Sequence, residues 1–380
     1  MKNGEILYCG EYTGFAGGIE RYAFQTARRL REAGWRVDWC GSRPDHGEAL
    51  FRSGFDRVFS PDDPPTDMPE YRLVVLHKLP ETTFLTRLRE RFGSRLVFLA
   101  HDHDLYCPRR HYYTPFGRIN CHRAYEPFRC GICSHLASPR NWPGAGKGRS
   151  ALLRELRGHH TAVLSEFMKG NLVRNGFREE KIHRLPPVID PPSPAPSRDG
   201  SEKKYLRILY LGQLIRGKGV DLLLRSLAEL RIQWRATLAG DGNDRPMLEA
   251  LARKLGIADK IDFTGWLDDP ESCFSRCDAA VFPSRWQEPF GLSGAEALAH
   301  GVPVVAFDTG GVREWLEHGV SGFVVPELDT AAFSEKLEEL CKKPELRKRM
   351  GAAGAERMRE RFSPQCFFES IERLMEVVNS

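Results

Sequence analysis

Short apolar runs that do not alternate recur along this chain, each bounded by glycine or polar residues. The clearest is Ala279-Ala280-Val281-Phe282, whose adjacent apolar positions predict a strand buried on both faces. A polar loop with Glu288 follows it. Gly291-Leu292-Ser293-Gly294 then leads into Ala295-Glu296-Ala297-Leu298-Ala299, which reads as a helix ended by Gly301. Val302 to Phe307 makes the next strand. Strand, loop, helix and strand form the parallel crossover of an α/β domain.

The same rhythm holds elsewhere. Glu5–Cys9, Arg36–Cys40, Tyr71–His77, Arg95–His101 and Thr161–Ser165 read as strands, and Tyr22 to Glu32 as a helix closed by Gly34. Pro139 to Arg149 reads as a loop. Pro191 to Lys204, rich in Pro, Ser and charge, reads as a linker. Leu206–Gly212 restarts the pattern, Ala236–Gly242 and Ile261–Leu267 continue it, and helix follows from Thr330.

Composition narrows the class. A chain of 380 residues exceeds one ordinary domain, so two are expected. With 41% hydrophobic and 28% charged residues it reads as a soluble globular protein. A net charge of +5 is too weak to argue for nucleic acid, but suits anionic nucleotides or an acidic lipid surface. No apolar run approaches a membrane span, no signal peptide is evident, and ten cysteines without one do not read as a disulfide framework. The expected compartment is the cytoplasm.

Chemistry can be placed on these elements. A helix N-terminus at Gly291–Ser293 offers unpaired N–H groups and a positive dipole, a seat for a diphosphate. Glu288 would face whatever the phosphate carries, and Glu296 could accept hydrogen bonds from hydroxyls such as a ribose's. A carboxylate on each side of a phosphate seat suits a nucleotide-sugar; an ordinary βαβ unit with solvated glutamates is the plain alternative. Gly17-Gly18, opening a helix, is a weak phosphate-loop signal and an incomplete Rossmann fingerprint. His101 ends a predicted strand, at the edge where ligands bind in parallel sheets.

Glu288-Pro-Phe-Gly-Leu-Ser-Gly-Ala-Glu296, with Gly301-Val-Pro-Val-Val-Ala and Thr309-Gly310-Gly311, resembles the signature of retaining glycosyltransferase family 4. The resemblance implies the GT-B fold, α/β with two facing Rossmann-like domains and parallel sheets. It divides the chain into a first domain over 1–190 with a Cys/His-rich insertion at 101–135, a linker at 191–204, a second domain over 205–363, and a helix over 364–380 returning to the first domain. It implies a hexosyltransferase-type enzyme that retains anomeric configuration. His101 and Glu288 would hold the sugar, and Glu296 the ribose. Gly17 and Gly18 would lie under the diphosphate, as would Phe290, Gly291 and Leu292 at the helix start. Gly265 and Trp266 would meet the base. Lys218 matches the family's phosphate lysine, whereas Gln213 stands where Arg is usual, so Arg216 might supply that charge. Such cations would replace a metal ion, and no cofactor is expected for catalysis. The implied partners are a nucleotide-diphosphate sugar donor and a carbohydrate or lipid-linked acceptor, with no nucleic acid. An epimerase or phosphorylase of the same architecture is the nearest rival, and a non-enzymatic zinc- or nucleic-acid-binding module the more distant one.

Two stretches lie outside the resemblance. Arg109 to Arg118 mixes cations with aromatics, as a peripheral membrane contact would, or as an exposed loop would. Cys107, Cys121, Cys130 and Cys133 gather in a segment poor in aliphatic residues, the last two as Cys-x-x-Cys. A structural zinc would supply folding energy there; an iron–sulfur cluster, disulfides and free thiols are the other readings.

Overall fold

The computed structural model describes residues 4–65, 67–78, 82–109, 112–114, 119–137, 145–190, 205–267 and 269–380. The chain divides into two compact units, Met1–Val188 with Pro364–Ser380, and Ile189–Ser363. The linker read at 191–204 lies outside the described residues.

Unit 1 carries β1 (Glu5–Cys9), β2 (Tyr12–Thr13), β3 (Arg36–Cys40), β4 (Arg43–Pro44), β5 (Arg57–Phe59), β6 (Leu73–Leu76), β7 (Leu96–Ala100), β8 (Thr161–Val163) and β9 (Ile182–Arg184). Seven of these form one sheet in the order β5-β3-β1-β6-β7-β8-β9, every pairing parallel. Every residue of β6 and β7 is buried, which is why their sequences do not alternate. The helix Gly18–Glu32 turns Tyr22, Ala23, Thr26, Ala27 and Leu30 inward as one stripe. The terminal helix Pro364–Asn379 belongs to this unit, burying Phe367, Ile371, Leu374, Met375 and Val378. Ser94 Oγ donates to the Val378 carbonyl at 2.7 Å.

The cysteine-bearing segment does not stand apart from a core. Leu105, Tyr106, Cys107 and Tyr112 pack into the same cluster as β1, β6 and β7 residues. Aromatic rings replace the missing aliphatics: His103 stacks on Tyr112 at 5.0 Å, and Tyr106 meets Tyr112 edge-on at 5.2 Å. A helix, Pro127–Ala137, follows. The loop read over 139–149 gives way to a second helix, Ala145–Leu156. Burial of Leu153 and Leu156 carries that helix, overriding the poor propensity of Gly146 and Gly148.

Unit 2 has β10 (Leu206–Leu211), β11 (Trp234–Ala239), β12 (Ile261–Gly265), β13 (Ala279–Phe282), β14 (Val304–Phe307) and β15 (Gly322–Val325). Their order, β12-β11-β10-β13-β14-β15, is again wholly parallel. Counted along the chain this is 3-2-1-4-5-6, the doubly wound Rossmann arrangement. The strand order reverses beside β10 and β13 here, and beside β1 and β6 in unit 1. Ligands bind at such reversals, outside the carboxyl ends of the strands.

Candidate functional site

In unit 2, the loops leaving β10 and β13 carry Lys218 and Glu288 to the reversal point. Lys218 Nζ donates to Glu288 Oε1 at 2.7 Å, and Ser284 Oγ donates to the same oxygen at 2.7 Å. Glu288 is only 8% exposed. Glycine makes this approach possible. Gly219 sits at φ +68°, and a Cβ there would lie 1.9 Å from the Pro283 carbonyl oxygen. The N–H of Arg285 donates to the Gly217 carbonyl at 2.9 Å, tying the two loops together. From β14, the Gly311 N–H donates to the Glu288 carbonyl at 2.7 Å. Three strand ends therefore hold Glu288 in place.

The helix predicted after Gly291 runs from Leu292 to Ala299, with Gly291 left-handed at φ +98°. Leu292 is half-buried and Glu296 is buried in its interior. The Phe290 ring is buried edge-on against Phe362 at 5.1 Å, and its carbonyl accepts the Trp315 indole N–H at 2.7 Å. Packing engages its side chain, so only its backbone is left for a ligand. Gly265 ends β12 at φ +77°, and Trp266 beyond it is 52% exposed. Gln213 is exposed, its carbonyl accepting the Tyr210 hydroxyl at 2.8 Å. Arg216 stands 3.5 Å from Asp221, which Arg285 also holds at 2.5 Å. Of the two candidate phosphate cations, Lys218 is the one joined to Glu288.

In unit 1, His101 follows β7 and His77 follows β6. His77 Nδ1 and His101 Nε2 are 2.9 Å apart, so one ring donates to the other. The rings stack at 5.1 Å, with Tyr22 edge-on to His101 at 5.1 Å. Burial, with the nearby Lys78 charge, pushes His101 down to about 3, leaving it neutral at ordinary pH. Lys78 Nζ donates to Asp102 at 2.9 Å and Asp104 at 2.5 Å. Burial and the adjoining Asp102 push Asp104 up to about 6. Gly17 precedes the helix in extended conformation and Gly18 begins it. Glu20, 5% exposed, turns back onto the N–H of Gly17 and its own, while burial pushes it up to about 7. A carboxylate thus faces the helix start where a diphosphate was expected. His77, Lys78 and Glu20 escaped the sequence reading, in which Asp102 and Asp104 are only polar residues at a strand's carboxyl edge. His77-Lys78 ends a strand as His101-Asp102 does, and that signal could have found them.

The four cysteines lie near one another at the edge of the unit 1 core, none of them in a disulfide. The N–H of Glu126 donates to Cys130 Sγ at 3.5 Å, and burial pushes Cys107 up to about 11. Among the described residues, no three His, Cys, Asp or Glu side chains are placed to hold one metal ion. Cys107, Cys121, Cys130 and Cys133, expected as zinc ligands, do not form such a group in this structure. Cys107 packs in the apolar core, and Cys130 and Cys133 lie on the helix Pro127–Ala137.

Comparison with known proteins places this geometry. Residues 16–192 match Glycosyltransferase Family 4, and residues 195–357 match Glycosyl transferases group 1. Alpha-D-kanosaminyltransferase of Streptomyces kanamyceticus is 35% identical over 153 residues, 39% of this chain and 39% of that protein. The lipopolysaccharide core biosynthesis glycosyltransferase LpsE of Rhizobium meliloti is 29% identical over 170 residues, 44% of this chain and 49% of that protein. The matched stretches span about half or less of these relatives' lengths. Anabaena Alr3699/HepE, solved in complex with UDP and glucose, superposes with a TM-score of 0.75 at 18% identity, covering 99% of this chain and 100% of that one. At that identity the likeness speaks for the fold, which is GT-B. Two parallel Rossmann-like sheets, an acid and a lysine joined at a strand reversal, and family matches over both halves converge: the chain belongs to the glycosyltransferases of the family 4 type.

Proposed function

We propose that the protein is a retaining glycosyltransferase, moving a hexose-type sugar from a nucleotide-diphosphate sugar to a hydroxyl of a glycan or glycolipid. The observation that carries this reading is the Lys218–Glu288 pair, held by close glycine contacts at the reversal point of unit 2. The bond from the anomeric carbon to the diphosphate breaks, and its electron pair leaves with the phosphate oxygen. A bond from the acceptor oxygen to the same carbon forms on the same face, and the acceptor proton passes to the departing phosphate. Lys218 and the N–H groups at the start of the helix Leu292–Ala299 neutralise charge developing on the diphosphate, so no metal cofactor is required. Glu288 accepts hydrogen bonds from sugar hydroxyls, and Glu296 from the ribose. Exposed Trp266 offers a face for the base. In unit 1, neutral His101 serves a sugar hydroxyl, as the family resemblance implies.

UDP is the first probe, since UDP is named in the Anabaena complex. Calorimetry should show UDP binding without added divalent metal, weakened at least tenfold by Lys218→Ala. Glu288→Ala should fold and bind UDP but lose most turnover. Near-normal turnover by that variant would overturn the assignment. With labelled donor, transfer should need an acceptor, and NMR should show the donor's anomeric configuration kept. Conversion of donor alone would instead identify an epimerase, and phosphate-dependent cleavage a phosphorylase.

A further inference from the structure

The helix Pro127–Ala137 is inverted relative to an ordinary surface helix. Its inward side carries Cys130 and Cys133, half-buried, and Ser134, fully buried. Its outward side carries Phe128, Ile132 and Leu136, exposed to 73%, 39% and 52%. These follow at four-residue spacing and so line one face. Ile119, 66% exposed, lies just upstream in the same segment. Elsewhere in the described chain, exposed large apolar side chains are scattered singly, as on most protein surfaces. Here they are gathered.

Exposed basic residues flank the stripe. Arg123 and Arg129 are exposed beside it, and His122 with them. Between residues 105 and 137 the sequence holds five arginines against one acid, Glu126. That carboxylate turns away to cap the helix, accepting the N–H of Phe128 at 2.9 Å and of Arg129 at 2.7 Å. Its charge is engaged by the helix start, so no acidic side chain of this segment opposes an approaching anion.

We propose that this helix docks on an anionic lipid bilayer, lying in the interface with Phe128, Ile132 and Leu136 among the acyl chains and Arg123 and Arg129 against the headgroups. The stripe is aliphatic and phenyl, and the polar groups the structure places beside it are cationic, Arg123 and Arg129. A bilayer interior accepts such a stripe, and its anionic surface complements the arginines. Membrane contact was expected from Arg109–Arg118. Residues 110, 111 and 115–118 of that stretch lie outside the described residues, and Arg109 is engaged with the Tyr113 carbonyl and ring; the helix just downstream offers a surface of its own.

Cosedimentation of the full chain with phosphatidylcholine vesicles, with and without phosphatidylglycerol, tests the proposal. Binding should require phosphatidylglycerol and weaken with salt. The triple variant Phe128→Ser, Ile132→Ser, Leu136→Ser should bind at least about tenfold more weakly, and Arg123→Glu with Arg129→Glu should show the same direction. Ile132→Trp should strengthen binding. Because these side chains are exposed, the melting temperature and UDP binding of each variant serve as folding controls. Wild-type protein that ignores anionic vesicles, or a folded triple variant that binds as well as wild type, overturns the inference. So does concentration-dependent dimerisation lost in the triple variant, which would name a second copy as the occupant.

Discussion

Gly219→Ala tests whether the close approach of two loops builds the phosphate and sugar site. A Cβ at Gly219 would lie 1.9 Å from the Pro283 carbonyl oxygen. Carbon–oxygen contacts settle near 3.3 Å, so the loops carrying Lys218 and Glu288 must part by somewhat more than about 1 Å. Two costs follow and can be separated. Holding a non-glycine residue at φ +68° costs about 1–2 kcal/mol, felt as stability. Displacing the reacting groups by about 1 Å costs on the order of 100-fold in turnover, or about 2.7 kcal/mol in the barrier. Gly256 supplies the control: its φ is +69°, but nothing lies within 4 Å of its would-be Cβ. Gly256→Ala should show the stability loss alone. Gly219→Ala should add roughly a 100-fold fall in kcat/KM, read from UDP release, and weaker UDP binding by calorimetry. If both variants fold and share wild-type kinetics, the loop contact does not organise the site and the argument fails.

Glu20→Gln should raise stability at pH 8 by about 2–3 kcal/mol and change little near pH 4. Its folded value of about 7, against 4.5, gives a contribution present below 4.5 and lost as pH rises through 7. An equal effect at both pH values would contradict this. His101 has the opposite sign: held at about 3 against 6.5, it favours the folded state above pH 6.5 and loses that advantage as pH falls towards 3. Melting temperatures between pH 7 and 5 should therefore drop less in His101→Gln than in wild type. Alkylation at pH 8, followed by mass spectrometry, should label half-buried Cys121 and Cys133 well before Cys107. Protection of all four together, with one zinc per chain, would instead show the ligand set assembling in solution.

The sequence alone determined what depends on neighbours in the chain. Runs such as Leu73–Leu76 and Ala279–Phe282 are short, apolar and unalternating because strands of a parallel sheet are buried on both faces, so their class was legible. Glu288 and Gly291 were legible for a related reason: the anion seat and its acid lie in one loop and the helix it opens. Tertiary structure decided everything that required a partner distant in the chain. Lys218 finds Glu288, and His77 finds His101, only because parallel strands bring their carboxyl ends side by side. Whether a charge becomes buried was likewise invisible, and burial is what perturbs Glu20, Asp104 and His101. The helix Pro127–Ala137 shows the limit most plainly. Its spacing defines an apolar stripe and a thiol stripe, but only the packed core decides which of them faces water.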